Sequence, residues 1–410
     1  MSGKSDKKKP LVPRLRFPEF REAGAWEVKR LGEVCEINPS TGDLPDNFIY
    51  IDLESVVAGQ LVKKQKISKE GAPSRAQRVL ESGDVIYQTV RPYQKNNYLF
   101  DLSDGNRYVA STGYAQFRAH DSENFLFQLI HTDSLINKVL SRCTGSNYPA
   151  INSSDLSKIQ VVVPRTDEQQ KIAHCLSSLD EVIGLQAKKV QALKQHKKGL
   201  MQQLFPAEGE TTPRLRFPDF REAGAWEVKR LGEIFQERTE RDSSSLELLS
   251  VTMSEGVVKT SQLDRKNNAS SDLSNYKNVY PNDIVYNSMR MWQGASGVSQ
   301  WQGIVSPAYT VITPISTQKP FFWAYYFKHT ENIEKFSRYS QGVTSDTWSL
   351  KFPAFSSIKI PVPTKADEQQ KIAHCLSSLD EVIGLESHKL DALKNLKKGL
   401  MQQLFPQDVA

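Results

Sequence analysis

Apolar residues between positions 167 and 206 recur at steps of four and three: Ile172, Leu176, Leu179, Ile183, Val190, Leu193, Leu200 and Leu204, with Gln186 and Lys197 breaking the row. That spacing holds one stripe on one side of a helix and has the period of a coiled-coil seam. Asp167 and Glu168 supply acid at the start, Lys197 and Lys198 supply base near the end, and Pro206 stops the run, as the helix dipole and proline chemistry favour. The stripe returns between 367 and 406 as Ile372, Leu376, Leu379, Ile383, Leu390, Leu393, Leu400 and Leu404, broken at Glu386 and Lys397. The pattern predicts two long helices, 167–206 and 367–406.

Elsewhere the period changes. β-Branched and aromatic runs such as "NFIYIDL", "GDVIYQTV", "YAQFRA" and "KIQVVVP" read as strands, as do "NDIVYNS", "YTVITPI" and "IKIPVP" later in the chain. "NFLFQLIHTDSLINKVLSR" and "PFFWAYYFKHTENIEKFSRY" have helical periodicity. The expected class is α+β: two mixed modules, 13–166 and 213–366, separated by the two long helices.

An internal repeat of about 200 residues organises these elements. The nineteen letters "DEQQKIAHCLSSLDEVIGL" occur at 167–185 and again at 367–385. "PRLRFPEFREAGAWEVKRLGE" at 13–33 returns at 213–233 with only Glu19 replaced by Asp219, and "KKGLMQQLFP" ends both halves at Pro206 and Pro406. Between these brackets, 34–166 and 234–366 share only faint echoes. Two variable modules therefore sit on a duplicated frame.

A lone helix would leave its stripe wet, so each stripe needs a partner, and the other copy is the obvious one. Acid lies in the first half of each helix (Asp180, Glu181; Asp380, Glu381) and lysine in the second (Lys194, Lys197, Lys198; Lys394, Lys397, Lys398). Antiparallel packing sets acid opposite base, whereas parallel packing does not. About 38 helical residues span roughly 57 Å, enough to act as a spacer. Packing in a bundle core is the plainer alternative.

The formal charge of +6 changes this picture little, because Lys4, Lys7, Lys8 and Lys9 against Asp6 supply half of it. Residues 1–12 read as a basic disordered tail, with a DNA-grazing arm as the alternative. Four cysteines in 410 residues make no disulfide framework, and no apolar run has the length of a membrane span, so a reducing cytoplasm is expected. There is no phosphate-binding glycine loop, no zinc-protease or serine-hydrolase motif, and no tetrapeptide of the kind amino-methyltransferases use on a flipped base. Asp219 with Glu227 and Lys229 only vaguely imitates a Mg²⁺ nuclease site. His174-Cys175 and His374-Cys375 would make poor zinc ligands, since adjacent helical side chains diverge by about 100°. No metal or catalytic residue is expected.

With the repeat, the "WEVKRLGE" entries at 26–33 and 226–233 and the "DEQQKIA…LSSLD" helices in place, the chain resembles the specificity subunit of type I restriction–modification systems. The likeness covers essentially everything after the basic tail. It implies that each module is a target recognition domain reading one half of a split double-stranded DNA site, and that the helices act as spacer and as docking surface for two modification (methyltransferase) subunits. It also implies that restriction subunits join, and that S-adenosylmethionine, ATP and Mg²⁺ belong to partner subunits, none to this chain. By the same resemblance, the loop after "GDVIY" and the glycine loop before the last strand approach DNA. These point to Gln88, Arg91, Gln94, Lys95, Asn97 and Tyr148 in the first module and to Asn287, Arg290, Trp292, Gln293, Gln341 and Thr344 in the second. For any single residue an ordinary surface loop remains the plainer reading. A coiled-coil scaffold that binds only proteins is the alternative function.

Overall fold

Both apolar stripes form unbroken helices in the computed structural model, which describes residues 11–40, 42–241, 246–253, 255–263, 272–315 and 317–406. They run over Thr166–Leu204 and Ala366–Leu404, 39 residues each. The chain divides into two compact units, one holding the described residues up to Ala187 together with those from His388 onward, the other Lys188–Ser387. The division cuts both long helices, so each unit owns part of each. Of the basic tail, residues 1–10 lie outside the described residues, while Leu11 accepts the Trp26 amide at 2.9 Å and so belongs to the fold.

In the first unit, a four-stranded antiparallel sheet joins Cys35–Ile37, Tyr114–Ala119, Val85–Gln88 and Tyr98–Leu99 in that order. A second sheet orders Gln65–Ser68, Asn47–Ile51, Tyr108–Ser111 and Ala76–Val79, with one parallel pairing, Tyr108 to Ile49. The helical run becomes two helices, Glu123–Leu129 and Asp133–Leu140, because the Thr132 hydroxyl caps the second by accepting the Leu135 amide. The frame strand Glu27–Arg30 pairs antiparallel with Gln160–Val163, just before the long helix.

The second unit repeats the antiparallel sheet as Phe235–Glu237, Tyr309–Pro314, Ile284–Asn287 and Ser296–Val298. Its helical run likewise splits, into Pro320–Tyr326 and Thr330–Tyr339. Its frame strand Glu227–Arg230 pairs with Lys359–Val362. Where the first unit has its second sheet, this one has two hydrogen-bonded pairs, Leu249–Thr252 with Gly256–Lys259 and Lys277–Val279 with Gly303–Val305. A parallel bridge from Leu248 to Ile304 joins these two pairs in the same order as the first unit's second sheet, so the arrangement of both sheets survives the sequence divergence.

The long helices are antiparallel inside each unit. In the first, Lys397 Nζ reaches both Asp180 oxygens at 2.6 Å, while Ile172 and Leu176 share a core with Leu400 and Leu404. In the second, Lys197 holds Asp380 at 2.6 Å, Lys189 pairs with Glu386, and Ile372 and Leu376 meet Leu200 and Leu204. Acid does lie opposite base. Ile172, Leu176, Val190, Leu204, Ile372, Leu376 and Leu404 are buried; Leu179, Ile183, Leu193, Leu200, Leu379, Ile383, Leu390, Leu393 and Leu400 are half-buried. Toward the helix ends the stripe is no free coil: it merges with the module cores around Trp26 and Trp226.

Candidate nucleic-acid interface

The repeated frame is locked the same way in both units. Arg16 donates through Nε and Nη2 to the two oxygens of Glu168 at 2.8 and 2.7 Å, and the Trp26 indole N–H adds 3.3 Å to one of them. Arg216, Glu368 and Trp226 repeat this at 2.7, 2.8 and 3.3 Å. The carboxylates are buried in the first turn of the long helices, where the macrodipole favours negative charge. The start of each half is thereby fixed onto the helix that follows its module.

At the sheet end of each module the two loops expected to approach DNA come together. In the first, Arg91 N donates to Pro149 O at 2.7 Å and Ile151 N to Thr89 O at 3.1 Å, and Val90 bridges Ala150. Gly145 turns the second loop at φ +92°, where a Cβ would meet Tyr148 O at 3.0 Å. The Arg91 guanidinium lies 4.3 Å from the centre of the Tyr148 ring, which is 63% exposed. In the second module, Leu350 N donates to Ser288 O at 2.8 Å, Gln341 bridges Ser349, and Trp292 packs edge-on to Trp348 with ring centres 5.5 Å apart.

The candidate residues then separate by burial. Gln88 (2% exposed) and Asn97 (1%) face inward: Asn97 Oδ1 accepts the Gln88 amide, Asn97 Nδ2 lies 3.3 Å from His131 Nε2, and Gln88 Nε2 donates to Val90 O and Gln94 Oε1. They shape the loop instead of presenting themselves to a groove. Lys95 is partly engaged, 3.6 Å from Asp133. Arg91, Gln94 and Tyr148 remain accessible. In the second module Asn287 is half-buried and its Oδ1 accepts the Met289 amide, Trp292 donates to Met289 O, and Thr344 bonds Thr347; Arg290 and Gln293 are half-buried and Gln341 is exposed. Sequence reasoning passed over Tyr93, Met289, Val343 and Trp348 on the same loops; Val343 is 98% exposed. Apolar side chains left open beside polar loop residues were the available signal.

At the far end of the strand that leads into each loop, just before Val85 and Ile284, sits an aspartate that the two modules satisfy differently. Asp84 takes Arg118 Nε at 3.0 Å and Gln116 Nε2 at 2.7 Å, from the neighbouring strand. Asp283 takes Arg238 Nε at 2.8 Å from just past the strand one further along the sheet, Phe235–Glu237, and Thr313 Oγ1 at 2.8 Å from the neighbouring strand. Of the acids read as a faint nuclease likeness, Asp219 pairs with Lys371 and Glu227 with Lys229 at 2.9 Å. Among the described residues the one group of three close metal-type ligands is Glu208, Glu331 and Glu334, and Arg338 pairs with two of them.

The family description "Type I restriction modification DNA specificity domain" matches residues 24–195 and again 224–395. The chain belongs to this family. Among its relatives, the type I restriction enzyme HindI specificity subunit of Haemophilus influenzae is 24% identical over 187 residues, 44% of this chain and 40% of that protein. The putative MjaX specificity subunit of Methanocaldococcus jannaschii is 24% identical over 286 residues, 63% of this chain and 61% of the relative. The matched stretches thus span less than two thirds of either relative. A solved type I restriction–modification S subunit from M. genitalium shares the fold at a TM-score of 0.60 and 14% identity, over 97% of this chain and all of that one. A chain from a structure addressing complex assembly and conformational transition of the type I R-M system gives 0.54 at 23% identity, over 94% and 98%. At these identities the structural likeness speaks for the fold alone. Among the described residues of this specificity-domain chain, no helix is long and apolar enough to cross a membrane.

Proposed function

We propose that the chain is the DNA-specificity subunit of a type I restriction–modification complex. Each variable module reads one half of a bipartite duplex target, and the repeated helices dock two methyltransferase subunits, with restriction subunits joining the assembly. The observation that carries this reading is one frame present twice, down to the Arg16–Glu168 and Arg216–Glu368 locks, bearing two unlike loop surfaces. Two copies of one partner require two equivalent surfaces, whereas two different half-sites require different readers. The chain itself carries no catalytic centre; S-adenosylmethionine, ATP and Mg²⁺ act on the partner subunits. Methylation or cleavage by a preparation free of those partners would overturn that part.

The test exchanges residues 34–166 for the corresponding segment of a relative and maps methylation by the assembled complex. One half of the target should change while the other stays. A change in both halves, or in neither, with the complex assembled and active, would refute separate reading modules.

A further inference from the structure

We infer that Arg91 is a pre-set guanine reader, and hence that the half-site addressed by the first module contains a G·C pair whose recognition depends on it. The inference rests on the reading that this module contacts DNA. Three independent features of the loop single out this side chain. First, the backbone is strained on purpose: Arg91 (φ 55°) and Lys95 (φ 56°) both sit in the left-handed region, flanking the 3₁₀ turn Pro92–Gln94. Non-glycine residues hold that conformation only where their surroundings impose it, and such outliers gather at functional sites. Here the surroundings are the Pro149 carbonyl on the Arg91 amide and the Gln88 side chain tying Val90 O to Gln94 Oε1, each at 2.7–2.8 Å.

Second, the guanidinium is oriented but not consumed. Arg16, Arg118, Arg216 and Arg238 each donate to a carboxylate, and Arg238 does so while its guanidinium lies 4.7 Å from the centre of the Tyr280 ring. Arg91 instead holds its guanidinium over the Tyr148 ring, 4.3 Å from the ring centre, and among the described residues it has no carboxylate partner. Stacking occupies the face of a guanidinium and leaves its in-plane N–H fork free, the edge that matches O6 and N7 of guanine in the major groove. A stacked fork also loses less rotamer freedom on binding than a free one.

Third, the second module lacks the device. Arg290 has φ −131° and, among the described residues, lies over no ring; Thr347 occupies the place of Tyr148, and the neighbouring Trp348 packs against Trp292. The dependence on a stacked arginine is therefore specific to one half-site.

The experiment uses the full chain assembled with its methyltransferase subunits, methylating a plasmid library with randomised bases in both half-sites. Arg91→Ala should relax discrimination roughly 10- to 100-fold at one G·C position, within the half-site that moves when residues 34–166 are exchanged. Arg91→Lys should relax the same position, because an ammonium keeps the charge but not the fork. Tyr148 acts as a positioning residue: Tyr148→Phe keeps the stacking face and the preference, while Tyr148→Ala weakens the preference at that position and no other. Unchanged preferences in an active complex would overturn the inference. So would an even loss over all sequences, the mark of a phosphate contact, or relaxation in the other half-site. Should Arg91→Ala fail to assemble, Arg91→Lys and Tyr148→Ala decide on the same readout. If exchange of 34–166 moves a half-site and the Arg91 variants do nothing, the inference alone fails; if the exchange moves neither half, the underlying reading fails.

Discussion

The buried carboxylates of Glu168 and Glu368 are each shielded from water and compensated by one arginine and one indole. Removing one partner of such a pair strands the other charge in the interior. Arg16→Ala should therefore cost about 3–5 kcal/mol in the first unit, and Arg216→Ala the same in the second. Urea unfolding followed by unit-specific hydrogen exchange checks this, and a loss below about 1 kcal/mol would show the pair to be solvated. Two histidines make stability depend on pH. Burial pushes His131 down to about 4, opposed by its bond to Phe127 O and helped by Lys397, and burial with Lys335 nearby does the same to His329. Both rings are neutral in the fold, whereas an unfolded histidine titrates near 6.5. Their contribution is complete above about pH 6.5 and is lost as pH falls from there toward 4. The thermal midpoint should drop across that window, and His329→Phe should make the drop shallower. An unchanged slope in that variant would remove His329 from the account.

At the scale of elements, each module core is completed by the helix end of the other repeat. Phe405 lies 6.0 Å from Trp26 and stacks on Phe125 at 5.6 Å in the first unit, while Phe205 stacks on Tyr326 at 4.7 Å in the second. Phe405→Ala should then cost about 3–5 kcal/mol in the first unit and leave the second near wild type, although the residue is 18 positions past the second unit's last residue, Ser387, and 218 past Ala187, where the first unit's N-terminal segment ends. Amide protection in Val85–Gln88 against Ile284–Asn287 reads the difference; equal losses would contradict the exchange. The sequence carried the long helices and their direction, because a period of 3.5 and an acid-to-base gradient are local signals. It carried the common sheet for the same reason, in runs such as "GDVIY" and "NDIVY". It did not carry the Phe405 exchange, since a repeat reads identically whether each end caps its own module or its twin's. Nor did it reveal that Gln88 and Asn97 turn inward: a polar residue on a polar loop looks alike in letters whether it meets water or a buried amide. The parallel pairing of Tyr108 with Ile49 joins segments about 60 residues apart, beyond what local pattern encodes.

On the scale of the whole molecule, what links the two variable modules is a pair of uninterrupted helices, each passing from one compact unit into the other. The polar breaks in their stripes fix the register: Lys197 and Lys397 are the residues that grip Asp380 and Asp180, and Glu386 takes Lys189. Asp180 also accepts Gln128 and Asp380 accepts Tyr325, so the same carboxylates tie helix to module. If these helices set the spacing between reading surfaces, their length is part of the specificity. Four residues inserted after Lys188 add about 6 Å of helix and shift the stripe by more than one turn, so four more after Lys389 are needed to restore the facing of the two stripes. Duplex DNA rises about 3.4 Å per base pair. The doubly lengthened chain should prefer a bipartite site whose gap is longer by about one or two base pairs, with both half-sites read as before. Either insertion alone should break the Lys–Asp register and lower assembly with the methyltransferase subunits. Methylation mapped over sites of graded gap length decides between the outcomes: an unchanged gap in an assembled, active complex would mean that the distance between half-sites is set elsewhere than in these helices.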